Sequence, residues 1–221
     1  MVVKVKRQKK PTQTNYVGTR LLIYTLITSV FALYLTMIPY EENQIKRFNE
    51  IVIGRLAVFT LHGLMMTVIS LIAFILNMLF SIMYGPARVT ISIALIYETI
   101  VMLLYWVIRF HNSNNFYTKE EAAQQGYKHA LAEVVTHILP TIVLLYTAIR
   151  NKMYHSGYWV IILLTVSTAS YTVILIYCNT IRNTPVYPFM NGISVLGNLI
   201  WGGIGMIFGS VLHFVYGKIL G

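Results

Sequence analysis

The chain has 221 residues, 57% of them hydrophobic and only 11% charged, with a mean hydropathy of +0.65. Soluble domains run near about a quarter charged, so the composition excludes an ordinary soluble domain and describes an integral membrane protein. The formal charge of +10 does not call for nucleic acid: Lys4, Lys6, Arg7, Lys9 and Lys10 supply half of it just before the first apolar run, where an anionic cytosolic leaflet accounts for them.

In chain order, residues 1–20 read as a basic cytosolic tail rather than a cleaved leader, because the apolar run that follows is long enough to span. A hydrocarbon core of about 30 Å needs roughly 20 apolar residues per helix. Six stretches meet that length: Leu21–Tyr40, Leu56–Tyr84, Val89–Val107, His129–Ile149, Tyr158–Ile181 and Phe189–Tyr216. The expected fold is therefore all-α, a single six-helix transmembrane bundle over residues 21–221 with both termini on the same side. Outside the tail, the sizeable polar piece is Phe110–Lys128. The lone cysteine, Cys178, excludes an intrachain disulfide and a cysteine metal cluster. The chain carries no Gly-rich phosphate loop, no HExxH motif and no Gly-x-Ser-x-Gly motif.

Function in such a chain sits with the polar residues of its spans, each costly to insert. Thr60 and His62 open the second span, in "GRLAVFTLHGLMMT"; a membrane threonine commonly bonds its own backbone, and His62 faces away from Thr60. Glu98 lies mid-way along the third span, either as interhelical glue or in a proton or substrate role. In the fourth, "KHALAEVVTHILPTIV" sets His129, Glu133 and His137 four apart and hence on one face. A carboxylate one turn from an imidazole orients it, as around a general base. A shared metal ion is not expected, since the outer histidines are about 12 Å apart along the axis. His213, alone in the last span, reads as structural.

Helix counting ties these together. The second, fourth and sixth spans start on one side, so Thr60 sits at a depth of about 7 Å, and His129 and His137 bracket it. The loop "RNTPVYPF", Arg182 to Phe189, covers the same end, stiffened by Pro185 and Pro188.

The run of markers from Trp106 through Pro140 and Tyr171 to "VYPF" (Val186 to Phe189) resembles the androgen-induced and androgen-dependent family of multi-pass membrane hydrolases, as a divergent member. These enzymes cleave fatty acid esters of hydroxy fatty acids with a threonine and a histidine. The resemblance implies Thr60 as nucleophile, in "GRLAVFT", and His137, the histidine nearest before Pro140, as base, with His129 as alternate. Thr25, the rival threonine, approaches from the wrong side. The family pattern is altered at Leu56, Gly63 and Val134, where the family has a tryptophan, an Asp or Asn, and a second histidine, and the spacing from His137 to Pro140 is two residues shorter. The expected activity is hydrolysis of lipid esters without cofactor or metal, Glu133 orienting His137 and Tyr187 or loop amides holding the oxyanion. A non-enzymatic role, as a proton-coupled transporter using Glu98 or as a structural subunit, is the rival. The expected partners are membrane lipids and the ester substrate; the expected location is an endomembrane, endoplasmic reticulum or vacuole.

Overall fold

The computed structural model describes Ile23, Leu26, Ile27, Val30 and residues 58–111 and 133–221. The basic tail, Thr25, His129 and residues 112–128 lie outside the described residues. Among those described there is no strand, and five helices are long and apolar enough to cross a membrane: α1 (Phe59–Phe80), α2 (Tyr84–His111), α3 (Glu133–Asn151), α4 (Tyr158–Ile181) and α5 (Val195–Leu220). They correspond to the second through sixth expected spans and form a multi-pass helical membrane architecture. Of the first expected span, Ile23, Leu26, Ile27 and Val30 are helical.

Turn chemistry moves some boundaries from their expected places. Tyr84, expected to end the second span, instead opens α2. Ser81 adopts a left-handed conformation (φ 58°) and its N–H closes on the Asn77 carbonyl, which stops α1 after Phe80. Pro86 then falls in the first turn of α2, where a missing N–H costs nothing. The last span starts six residues later than expected, at Val195 rather than Phe189. Residues Pro188–Met190 form a separate 3-10 turn, and the Ser194 side chain caps α5 by accepting from the Gly197 N–H.

α2 is the axis of the bundle: 67% of its apolar stretch is buried, against 11% for α5. Every residue from Ile91 to Val101 is buried, as a helix apolar on all sides requires. The three-residue turn Ser81–Met83 folds α1 back antiparallel along α2. Leu71, Phe74, Ala87, Ile91 and Leu95 form a core with Leu144 and Ala148 of α3. At that end Arg88 donates to the Tyr154 carbonyl, His155 N–H donates to Ser92 Oγ at 2.7 Å, and the Tyr154 hydroxyl meets His213 Nδ1 at 3.0 Å. Burial, and then the neighbouring Tyr216, push the Tyr154 hydroxyl well above its usual range, so it remains a proton donor. His213 is buried, and this bond gives it the structural partner its position suggested.

α4 and α5 pack through glycine. A Cβ on Gly209 would lie 2.8 Å from Leu164, and one on Gly202 would collide with the Thr172 side chain. Their outer faces, including Leu199, Ile204, Ile207 and Phe214, are exposed apolar surface suited to lipid.

Candidate functional site

The Thr60 turn of α1 is built from three stripes that meet along α2. On α1, Thr60, Gly63 and Thr67 share a face, being three and seven residues apart. Thr60 is half-buried, while Gly63 and Thr67 are buried. Opposite them, Glu98 is fully buried; Thr67 donates to its Oε1 at 2.8 Å. A Cβ on Gly63 would stand 3.1 Å from that oxygen, so the missing side chain is what lets the carboxyl in. Glu98 Oε2 is buried with no hydrogen-bond partner.

On α2, Glu98, Tyr105 and Arg109 follow one another on a single face, seven and eleven residues along. α3 meets the upper part of it. The His137 ring stacks on Tyr105, with centroids 3.6 Å apart and planes 11° from parallel. Glu133 pairs with Arg109 at 3.1 Å. Glu133 thus stands one turn before His137, as expected, with its carboxylate also engaged by a cation. His137 Nδ1 is buried without a partner.

The Glu98 carboxyl reaches both Thr67 and Gly63, and beyond it Thr60 on α1 and Tyr105 on α2 lie toward the same end of these antiparallel helices. His137, stacked on Tyr105, lies toward that end too. His62 points elsewhere, edge-on to Tyr171 at 5.3 Å.

Above Thr60 the α4–α5 connection is anchored at two points. The Phe59 N–H, one residue before Thr60, donates to the Tyr187 hydroxyl at 2.9 Å, and Tyr187 and Tyr171 are hydrogen-bonded to each other. Phe59 packs between the rings of Tyr97 and Tyr171. The second anchor is Asn179, turned inward by a π-helical last turn of α4, Tyr177–Ile181. Its amide donates to Asn198 Oδ1 at 2.8 Å and accepts from the Val186 N–H at 3.0 Å. Val186, Met190, Leu175 and Cys178 close a small core beneath.

Sequence reasoning missed Tyr105, Arg109, Thr67, Asn179 and Asn198 as site members. The two asparagines carried a usable signal, since amides inside apolar spans commonly bond across helices. A cavity of about 330 Å³ lies elsewhere, between α4 and α5, and is lined by Thr165, Thr168, Thr172, Gly202 and Met206 among others; neither Thr60 nor His137 borders it. No family model, curated protein or solved structure matches this chain.

Proposed function

We propose that the chain is a membrane-embedded hydrolase of lipid esters, with Thr60 as nucleophile and His137 as its base. The observation that carries this reading is that Thr60 and His137 lie toward the same end of the bundle, His137 stacked on Tyr105 of α2, beneath a loop pinned to the residue before Thr60. A threonine hydroxyl is a weak nucleophile and needs a base; the base proposed is His137, whose Nδ1 is held by no other group, Thr60 included, in this structure. The Oγ of Thr60 attacks the ester carbonyl and its proton passes to His137, which returns it to the departing alcohol. Water then releases the acyl group by the same steps reversed. A site at the second residue of α1, near the end of the helix, suits an ester whose chains remain in lipid. No cofactor or metal takes part.

The proposal includes a sixth span over Leu21–Tyr40, both termini on the cytosolic side, and an endomembrane location; maleimide labelling of cysteines placed at each terminus in sealed vesicles tests the topology. The test of the chemistry is covalent labelling by a fluorophosphonate probe, followed by peptide mass spectrometry. Label at Thr60, abolished in His137→Ala, supports the reading, and absence of label on folded protein ends it. The buried, half-satisfied Glu98 favours proton-coupled transport as the second reading; pH-driven flux in liposomes without labelling would be its signature.

A further inference from the structure

The strongest unused feature lies one turn beyond His137. Thr141 is 5% exposed and its Oγ is fully enclosed, yet that oxygen has no hydrogen-bond partner. Threonines and serines in apolar helices ordinarily bond the carbonyl four residues back. Ser92, Thr99, Thr165, Ser170, Thr172 and Ser210 all do so here. Thr141 does not bond the His137 carbonyl.

Its direction is fixed by the stripe it belongs to. His137, Thr141, Leu144 and Ala148 recur at four, seven and eleven residues and so share a face. His137 lies on Tyr105 of α2, and Leu144 and Ala148 pack with Ile91 and Leu95 of α2. Thr141 therefore faces α2 between Glu98 and Tyr105, one turn deeper than His137. Next to it on the same stripe, His137 Nδ1 is likewise buried and unpartnered. Leaving a buried polar group unsatisfied costs about 1–3 kcal/mol, and these two on adjacent turns offer a ligand one donor and one acceptor.

Their hydrogen-bonding capacity defines the two ligand atoms. A threonine hydroxyl donates one proton, and the imidazole nitrogen takes one when the neutral ring carries its hydrogen on Nε2. We propose that Thr141 is the hydrogen-bond donor for the ester carbonyl oxygen. This rests on the hydrolase reading and extends it, because it supplies the oxyanion donor that reading lacks. As the Thr60 oxygen bonds to the carbonyl carbon, the C=O electron pair moves onto the oxygen, which the Thr141 hydroxyl holds. The Thr60 proton moves to His137 Nδ1. Collapse of the adduct restores C=O, breaks the bond to the leaving oxygen and returns the proton to it.

Thr141→Val keeps the shape and removes the hydroxyl. Fluorophosphonate labelling at Thr60 and kcat for a long-chain p-nitrophenyl ester then fall about 100-fold, as for loss of one oxyanion donor. KM stays within about threefold, and Thr141→Ser restores most of the rate. The thermal midpoint is unchanged or higher, since an unsatisfied hydroxyl has been removed. Thr147→Val is the control: Thr147 Oγ is also buried and unpartnered, but it lies off the stripe, and its loss leaves labelling intact. Wild-type labelling in Thr141→Val overturns the proposal, as does a joint fall of activity and midpoint, which would mark a structural role. If the wild-type chain labels nowhere, the hydrolase reading fails by itself. The carbonyl site is then read by thermal shift with 2-heptadecanone, which stabilises the wild-type chain and not Thr141→Val if the site exists; equal shifts overturn it.

Discussion

Glu98 offers the sharpest energetic test. Its carboxyl is fully enclosed and holds one hydrogen bond, from Thr67 at 2.8 Å, while its other oxygen has none. Thr67→Val preserves volume and leaves both carboxyl oxygens unsatisfied. The expected cost is about 1–3 kcal/mol. At about 2–4 °C per kcal/mol for a chain of this size, the midpoint falls by roughly 2–12 °C. Glu98→Leu, which replaces the carboxyl by an apolar side chain, removes the unsatisfied group altogether, and the double variant Thr67→Val/Glu98→Leu should lie near wild type, because exchanging both partners for apolar groups is close to neutral. The two single effects are therefore not additive, and a double-mutant cycle in detergent, read by thermal unfolding, measures their coupling. Additive effects, or a Thr67→Val variant as stable as wild type, would refute the claim that this hydroxyl is what tethers the carboxyl.

Other outcomes follow from the same geometry. Thr60→Ala, His137→Ala and the double change should drop ester hydrolysis to one shared floor, since the two act as a unit, while Thr25→Ala stays near wild type. Asn179→Ala removes both hydrogen bonds of the second anchor, to Asn198 and from the Val186 N–H, and should raise proteolytic cleavage at Arg182, with a stability loss of about 2–3 kcal/mol. Gly202→Ala forces its methyl into Thr172, whereas Gly203 has open space around it; the first should cost about 1–3 kcal/mol and Gly203→Ala should gain up to about 1 kcal/mol from helix propensity, both read by thermal midpoint.

Much of the fold was written in runs of hydropathy. α1 to α5 fall where five of the six apolar stretches were expected, because a bilayer-length run leaves the backbone no alternative to a helix. The ends were harder to read, since Ser81 in a left-handed turn and Ser194 as a cap act through single-residue geometry. Within the site, periodicity showed that Glu133 and His137 share a face, and insertion cost argued for the burial of Glu98, which is complete. What periodicity lacks is the rotation of one helix against another. Tyr105 under His137 and Arg109 beside Glu133 depend on that rotation, and neither is distinctive in an aromatic-rich span. In sequence Gly63 is only a departure from the family pattern; in the structure its missing side chain makes room for the Glu98 carboxyl of another helix.

The π-helical end of α4 makes this region sensitive to length rather than to composition. Such a turn holds one residue more than the α-helix it interrupts, and that surplus swings Asn179 toward Asn198 and Val186. Conservative exchanges along Tyr177–Ile181 leave the count intact. Deleting a single residue there would let the segment close to ordinary α geometry with the chain on either side kept in place, and the swing that aims Asn179 at Asn198 and Val186 would be lost. The loop would then keep its hold on Phe59 through Tyr187 but lose its footing on α4, so the cover near Thr60 depends on a residue count set a full turn before the loop begins.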